Sequence, residues 1–220
     1  MGMTDPDKTR YAQAERAALC DLFLQVGPDA PTLCDDWSTR DLAVHLAIRD
    51  GRPDAAAGMV LPPLRAHQES VERSYAGKPW PELVEVVRSG PPRLSPTAIG
   101  PVDERVNLGE FFIHHEDVRR AGTTPAGPRE LPEEMERRIW ASVRTMARLL
   151  VRSSPSGVVL VAPQGRAAVR RPQEGHGTVV LRGKPSELLL AVFGRHAVAD
   201  LQVEGAERDA QALWGSKPGF

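Results

Sequence analysis

The sequence lacks several features that would mark a secreted or membrane protein. It contains only 2 cysteines, and Cys20 and Cys34 do not form a CxxC pair, so we expect free thiols in a reducing cytoplasm. No apolar run approaches the roughly 20 residues that cross a bilayer. The first residues lack the apolar stretch of a secretory signal. Together these absences predict a cytoplasmic protein with no membrane partner.

The chain also lacks an excess of charge and the common nucleotide-binding and hydrolase motifs. Its 220 residues carry a formal net charge of −1, which favours neither nucleic acid nor an anionic membrane as a partner. Gly-x-Gly-x-x-Gly and Walker loops are absent, which argues against nucleotide chemistry. A Gly-x-Ser-x-Gly elbow is absent too, which argues against a serine nucleophile. No sequence feature indicates an oligomeric state.

Helical periodicity dominates residues 1–152. Thr4-Asp5-Pro6 predicts a helix start, because a capping side chain precedes a proline that is tolerated in the first turn. Ser38, with Asp41 three residues later, predicts a capping box at the start of a second helix. A proline-rich loop is predicted from Ser89 to Pro101. Further helices are predicted at about 63–76, 79–88, 103–121 and 131–152. The four substantial helices predict an N-terminal bundle, residues 1–152.

Residues 153–220 have a different character. Short β-type runs occur at 158–162, 178–181 and 199–203, and helices are predicted at about 184–193 and 206–214. We therefore predict an α+β protein of two domains, with a helical bundle followed by a small C-terminal α/β domain.

The candidate functional residues are a carboxylate and two imidazoles. Glu110 and His114 are four residues apart, so on a helix they point the same way. His45 lies among apolar neighbours on the second predicted helix. Two histidines and one carboxylate suit zinc or another divalent metal, with positions open for water or substrate. The alternatives are an ordinary exposed i, i+4 pair and a hydrogen-bonded core histidine.

The residues after His114 are less clearly assigned. His115 should lie about 100° around the helix from His114, which predicts a surface or supporting role. Asp117 either orients a ligand or is solvated. Arg119 and Arg120 are predicted to be surface or ion-pair residues, although either could meet an anionic substrate.

Three segments of the chain resemble segments of a known protein family. Trp37 to Leu46, which holds Trp37, Ser38, Asp41 and His45, is similar to a segment of the mycothiol-dependent maleylpyruvate isomerase family, which belongs to the DinB-like metal-binding four-helix bundles. Glu110, His114, Asp117 and Arg119 resemble the family's second segment, E-x-x-x-H-x-x-D-x-R. Leu181 to Leu190, followed by Gly194-Arg195, resembles its small C-terminal α/β domain.

The resemblance implies that His45, Glu110 and His114 bind a divalent metal, usually zinc. It also implies an enzyme that activates the actinobacterial thiol mycothiol for S-transfer to a small electrophile, or for its isomerisation. Arg195 could then hold a substrate carboxylate, although a surface arginine beside a helix-ending glycine fits the sequence equally well. Two other functions stay open. One is a metal-dependent hydrolase in which Glu116 or Asp117 is the base, and the other is a non-catalytic binding or regulatory module.

Overall fold

A computed structural model describes residues 10–56, 61–92 and 100–216. The predicted start of the first helix at Thr4-Asp5-Pro6 lies outside these residues. By their contacts the residues form two compact units, 1–126 and 127–220. None of the helices within the described ranges is long and apolar enough to cross a membrane.

The N-terminal unit is helical. Its α-helices are α1 (Tyr11–Val26), α2 (Thr39–Gly51), α3 (Pro53–Ala56), α4 (Arg65–Ala76), α5 (Trp80–Ser89) and α6 (Gly100–Arg119). Helix α1 packs on α5 and α6, and α2 packs on α4 and α5. The core between these helices is fully buried and includes Phe23, Leu42, Leu83 and Phe111. Apart from the start of the first helix, the predicted helices of this unit are confirmed to within a few residues. The predicted loop from Ser89 to Pro101 lies mostly outside the described residues.

The N-termini of helices α2 and α1 are capped in different ways. Ser38 and Asp41 form the predicted capping box, in which each side chain binds the other residue's backbone N–H. Helix α1 has no cap from its own N-cap side chain. The N–H groups of Tyr11 and Ala12 instead donate to the two carboxylate oxygens of Glu104, at 3.1 and 3.0 Å. Glu104 belongs to α6, so α1 is capped from the far end of the unit's sequence.

The C-terminal unit contains α7 (Glu133–Leu150), a four-stranded sheet, α8 (Pro185–Leu190) and α9 (Glu207–Trp214). The strands are β1 (Gly157–Ala162), β2 (Gly165–Arg170), β3 (Thr178–Arg182) and β4 (Gln202–Glu204), in the spatial order β2-β1-β3-β4. β1 is antiparallel to β2 and parallel to β3, and β3 is antiparallel to β4. The predicted α+β fold is therefore confirmed, with helices preceding a small sheet.

Helix α7 groups with this second unit. Its apolar stripe, which includes the buried Ile139 and Val143, packs against α8 and β2. The boundary between the compact units consequently falls near residue 126, whereas the sequence pattern put a domain boundary after residue 152. The reason is that a helix's apolar stripe shows that it packs, but not against which neighbour. The domains 1–152 and 153–220 stay a prediction.

Candidate metal centre

His45, Glu110 and His114 come together in the N-terminal unit. His45 is on α2, and Glu110 and His114 are one turn apart on α6. The Oε1 atom of Glu110 lies 3.5 Å from Nε2 of His45 and 3.3 Å from Nε2 of His114. One potential ligand atom from each residue lies within 4.8 Å of the other two. We call these three residues the triad.

The donor set of the triad fits a divalent metal. Two imidazole nitrogens and one carboxylate oxygen are the ligands of many zinc sites that keep a position open. The three side chains are 12–21% exposed, so the site is shielded but reachable. His114 also has the supporting contact that such ligands usually make, because its Nδ1 lies 2.9 Å from Oδ2 of Asp117. That contact fixes the ring so that Nε2 points into the triad.

Cys34 adds a thiol on the other side of His114. Its Sγ donates to Oδ2 of Asp117 at 3.0 Å and lies 3.8 Å from Nδ1 of His114. Cys34, His114 and Asp117 therefore form a second group with metal-ligand atoms close together. The sequence pattern identified Cys34 only as a free thiol, because it lies in the loop before α2 at no regular spacing from the other ligands. Both cysteines are free thiols, as expected.

Arg49 contacts the triad from α2. Its Nε lies 3.1 Å from the same oxygen of Glu110, and its Nη1 donates to Asp50 at 2.9 Å and to Asn107 at 2.7 Å. Arg49 is four residues after His45, so helical spacing placed it on the same face of α2. Arg49 was not among the predicted site residues, because an arginine on a helix is usually solvated.

A closed ring of polar side chains holds Arg49. It runs from Arg49 to Asp50, then to Arg16 on α1, to Asp103 and Asn107 on α6, and back to Arg49. The ring contains two guanidinium groups, two carboxylates and one amide, so its charges balance. Asn107 is fully buried, and Asp103 is 3% exposed. We call this set the charge ring, and it ties α1, α2 and α6 together beside the triad.

The pKa values of Glu110 and His114 are shifted by their neighbours in the triad. Burial raises the pKa of Glu110, but hydrogen bonds from His114 and His45 and the charge of Arg49 outweigh it, and the pKa is well below its ordinary value. Burial lowers the pKa of His114, yet contacts with Asp117, Cys34 and Glu110 hold it well above its ordinary value. The site thus stabilises the anionic form of Glu110 and the protonated form of His114.

A cavity of about 540 Å³ opens beside His45, between α2 and α4. We call it the α2–α4 cavity. Its α2 side is formed by Trp37, Asp41, Val44 and His45, and its α4 side includes Glu69, Glu72 and Arg73. The ring centroids of Trp37 and His45 are 5.2 Å apart and the ring planes are tilted by 51°, so the exposed indole contacts the imidazole. His45 therefore belongs both to the triad and to the wall of a ligand-sized space.

Four of the charged or titratable residues that follow His114 on α6 and just after it are buried, and Arg119 is partly exposed. His115 is 7% exposed and its Nδ1 lies 3.0 Å from Oε2 of Glu15, so the surface alternative is excluded and the supporting role stays a prediction. Asp117 is fully buried, which excludes the solvated alternative. Arg119 and Arg120 both bind the buried Glu116, so the ion-pair prediction is confirmed.

Arg195 lies in the C-terminal unit, at the end of the π-helical segment Ala191–Arg195 that follows α8. Its Nη1 donates to the backbone oxygen of Phe193 at 2.7 Å. Its role in binding a substrate carboxylate stays a prediction.

The fold is similar to that of solved structures of mycothiol-dependent maleylpyruvate isomerase and of a histidine-to-alanine variant of that enzyme. The identities are 16% and 14%, and each comparison has a TM-score of 0.60 and covers 93% of this chain and 98% of the other. At such identities the likeness shows a related fold. No protein-family model and no curated protein sequence matches the chain.

Proposed function

We propose that this protein is a divalent-metal-dependent enzyme that activates mycothiol for S-transfer to a small electrophile, or for the isomerisation of that electrophile. Zinc is the proposed metal, held by His45, Glu110 and His114. The observation that carries the proposal is the convergence of these three donors beside a cavity of about 540 Å³. The related fold of mycothiol-dependent maleylpyruvate isomerase supports a thiol as the cosubstrate.

The metal would supply one chemical property, which is the lowered pKa of a thiol bound to it. A divalent cation at the triad lowers the pKa of a thiol that binds to it, so that the thiolate is present at neutral pH.

The protein's own residues would orient the reacting groups. Asp117 accepts from Nδ1 of His114 and so keeps the Nε2 lone pair directed at the triad. Arg49 forms an ion pair with Glu110 and so limits the directions in which that carboxylate can turn. Trp37 contacts the imidazole of His45 and would limit the movement of that ring.

The positions of the nearby carboxylates argue against the hydrolase alternative. A metal-dependent hydrolase needs a general base within reach of the attacking water. Glu116 is fully buried and bound by Arg119 and Arg120. Asp117 is fully buried and already accepts hydrogen bonds at the triad. Neither of the two residues suggested by the sequence is therefore placed as a base.

Metal analysis tests the first half of the proposal. The purified protein should contain about one equivalent of metal, and His45→Ala and His114→Ala should lose it. His67→Ala is a matched control, because His67 is a half-exposed histidine of the same unit that pairs with Asp54. Metal-free wild-type protein that takes up no stoichiometric zinc on dialysis would refute the site.

A conjugation assay tests the second half. Mycothiol and chlorodinitrobenzene should react faster with the metal-loaded protein than without it, and His45→Ala should abolish the difference. Bound metal without thiol chemistry, but with metal-dependent ester or amide hydrolysis, would favour the hydrolase. Bound metal with neither activity would favour the non-catalytic module.

A further inference from the structure

We propose that Cys34, His114 and Asp117 form a second metal site, which binds a thiophilic divalent ion, and that this site competes with the triad for His114. An ion bound there would therefore inactivate the triad. We call these three residues the Cys34 cluster. The first half of the proposal stands on the cluster alone, whereas the competition rests on the proposed function, because it requires a metal at the triad.

The ligand atoms of the Cys34 cluster already lie close together. Oδ2 of Asp117 is 2.9 Å from Nδ1 of His114 and 3.0 Å from Sγ of Cys34, and that sulfur is 3.8 Å from Nδ1. Around a tetrahedral zinc-sized ion, ligand atoms of these types are about 3.4–3.6 Å apart. Each separation therefore has to change by only about half an ångström for an ion to bind. A larger soft ion needs slightly more space, which the partly exposed Cys34 side chain can provide.

Backbone hydrogen bonds hold the loop that carries Cys34 against α6 at the cluster itself. The N–H of Leu33 donates to the backbone oxygen of Asp117 at 3.0 Å. The N–H of Cys34 donates to the hydroxyl of Thr32 at 3.1 Å, and that hydroxyl donates to the backbone oxygen of Trp37 at 2.9 Å. The loop therefore positions the thiol at Asp117 before any ion binds, so binding needs little further ordering of the chain.

The donor set of the Cys34 cluster suits a soft divalent ion. On binding, the ion forms bonds to the sulfur, Nδ1 and Oδ2, and the thiol proton and the proton on Nδ1 pass to solvent. The thiolate and the carboxylate then carry two negative charges, which a divalent ion neutralises. This balance matters because Asp117 is fully buried. Thiolate sulfur prefers softer ions than nitrogen and oxygen donors do, so the cluster and the triad select different metals.

The two nitrogens of His114 explain why the two sites exclude each other. A neutral imidazole has one nitrogen with a free lone pair, and the other carries a proton. When Nε2 binds an ion at the triad, Nδ1 keeps its proton and donates to Asp117. When Nδ1 binds an ion at the Cys34 cluster, Nε2 keeps the proton, and Oε1 of Glu110 is its acceptor, 3.3 Å away. Both arrangements use the same ring position, so one ion displaces the other without a movement of α6.

A cadmium titration of the metal-free protein tests the site by spectroscopy. Cd²⁺ is the probe, and the sulfur-to-cadmium charge-transfer absorption in the ultraviolet is recorded. The triad contains no sulfur, so this absorption reports a cysteine ligand. We expect one equivalent of Cd²⁺ to produce it, Cys34→Ser to abolish it, and His45→Ala to keep it, because His45 belongs to the triad alone. The hydroxyl of Cys34→Ser can still donate to Asp117, so this variant should fold.

Cys20→Ala is the matched control for the thiol. Cys20 is the other cysteine of the chain, and it is fully buried, with its Sγ donating to the backbone oxygen of Val84 at 3.7 Å. It lies outside the cluster, so Cys20→Ala should keep the full absorption. Circular dichroism checks that each variant is folded.

Zinc release tests the competition. Protein that holds one equivalent of Zn²⁺, with no free zinc, receives one equivalent of Cd²⁺, and a chelator dye measures the zinc that leaves. We expect the wild type to lose its zinc as the charge-transfer absorption grows, and Cys34→Ser to retain it. Zinc that stays bound while the absorption develops fully would show both ions on one protein and would refute the competition. Equal zinc loss from both proteins would refute it too, because Cd²⁺ would then be replacing zinc at the triad directly.

The outcomes separate this inference from the proposed function. If Cd²⁺ produces no absorption in the wild type, or if the absorption persists in Cys34→Ser, the second site is refuted while the triad proposal stands. If the wild type binds no zinc, the proposed function fails. A cadmium absorption that is lost in Cys34→Ser and kept in both His45→Ala and Cys20→Ala supports the second site in either case.

Discussion

Removing Asn107 should destabilise the N-terminal unit, because this residue closes the charge ring. Its side-chain NH₂ donates to Asp103 at 2.7 Å, and its oxygen accepts from Arg49 at 2.7 Å. Both partners are charged, and Asn107 itself is fully buried. A hydrogen bond to a charged group is worth about 1.5–3 kcal/mol, and breaking it leaves a buried group with one partner fewer.

Asp103 keeps its contact with Arg16, and Arg49 keeps Asp50, so the low end of that range applies to each lost bond. We expect Asn107→Ala to lower the free energy of unfolding by about 3 kcal/mol. Urea unfolding of the metal-free chain, followed by circular dichroism, measures the change. An unchanged m-value would show that the loss is one of stability rather than of compactness.

A surface amide provides the control. Gln68 donates to the carboxylate of Glu72 at 2.8 Å from the surface of α4, so its bond differs from those of Asn107 mainly in burial. Gln68→Ala should cost less than about 0.5 kcal/mol. If Asn107→Ala costs less than about 1 kcal/mol, the ring does not stabilise the unit as argued here. The loss of stability in an Asn107→Ala, Arg49→Met double variant should be smaller than the sum of the losses in the two single variants, since both substitutions break the same hydrogen bond.

Three further predictions concern single side chains. Asp117→Ala should weaken metal binding about 10- to 100-fold, because His114 loses the acceptor that orients it, and competition with a chelator dye measures this. Burial raises the pKa of Cys20 to about 12. One thiol, that of Cys34, should therefore react with Ellman's reagent in the native protein, and a second only after unfolding; two fast thiols would contradict this. Burial raises the pKa of Glu136 above its unfolded value, so stability should fall as pH rises from the ordinary glutamate range through the folded pKa, and Glu136→Gln should flatten that fall in urea titrations at several pH values.

Features that depend on residues close together in the sequence could be predicted from the sequence. The capping box of Ser38 and Asp41 was readable because its two members are three residues apart. The shared face of Glu110 and His114 followed from helical spacing alone. Strand β2 was missed, because residues 165–170 contain two arginines and two alanines and lack a strong apolar alternation. Its pairing with β1, across the turn at Pro163-Gln164, is what makes it a strand.

The environment of the triad was less accessible to sequence reasoning, because it depends on tertiary contacts. Asp117 could be suggested from its spacing to His114, but only the fold shows that it is buried and bonded to Nδ1. Cys34 reaches Asp117 from a separate loop, 83 residues earlier in the chain. The charge ring joins three helices through side chains whose residue types, taken singly, predict a solvated surface. Its existence follows from how α1, α2 and α6 pack.

The cap that Glu104 provides to α1 has a consequence for the order of folding. The two bonds from Tyr11 and Ala12 span 93 and 92 residues, so they form late in comparison with contacts inside one helix. A nascent chain that ends before α6 contains His45 but lacks the cap of α1 and two of the three triad residues. One helix therefore supplies both, and because Glu104 precedes Glu110 and His114, the residue that caps α1 is synthesised before the triad is complete.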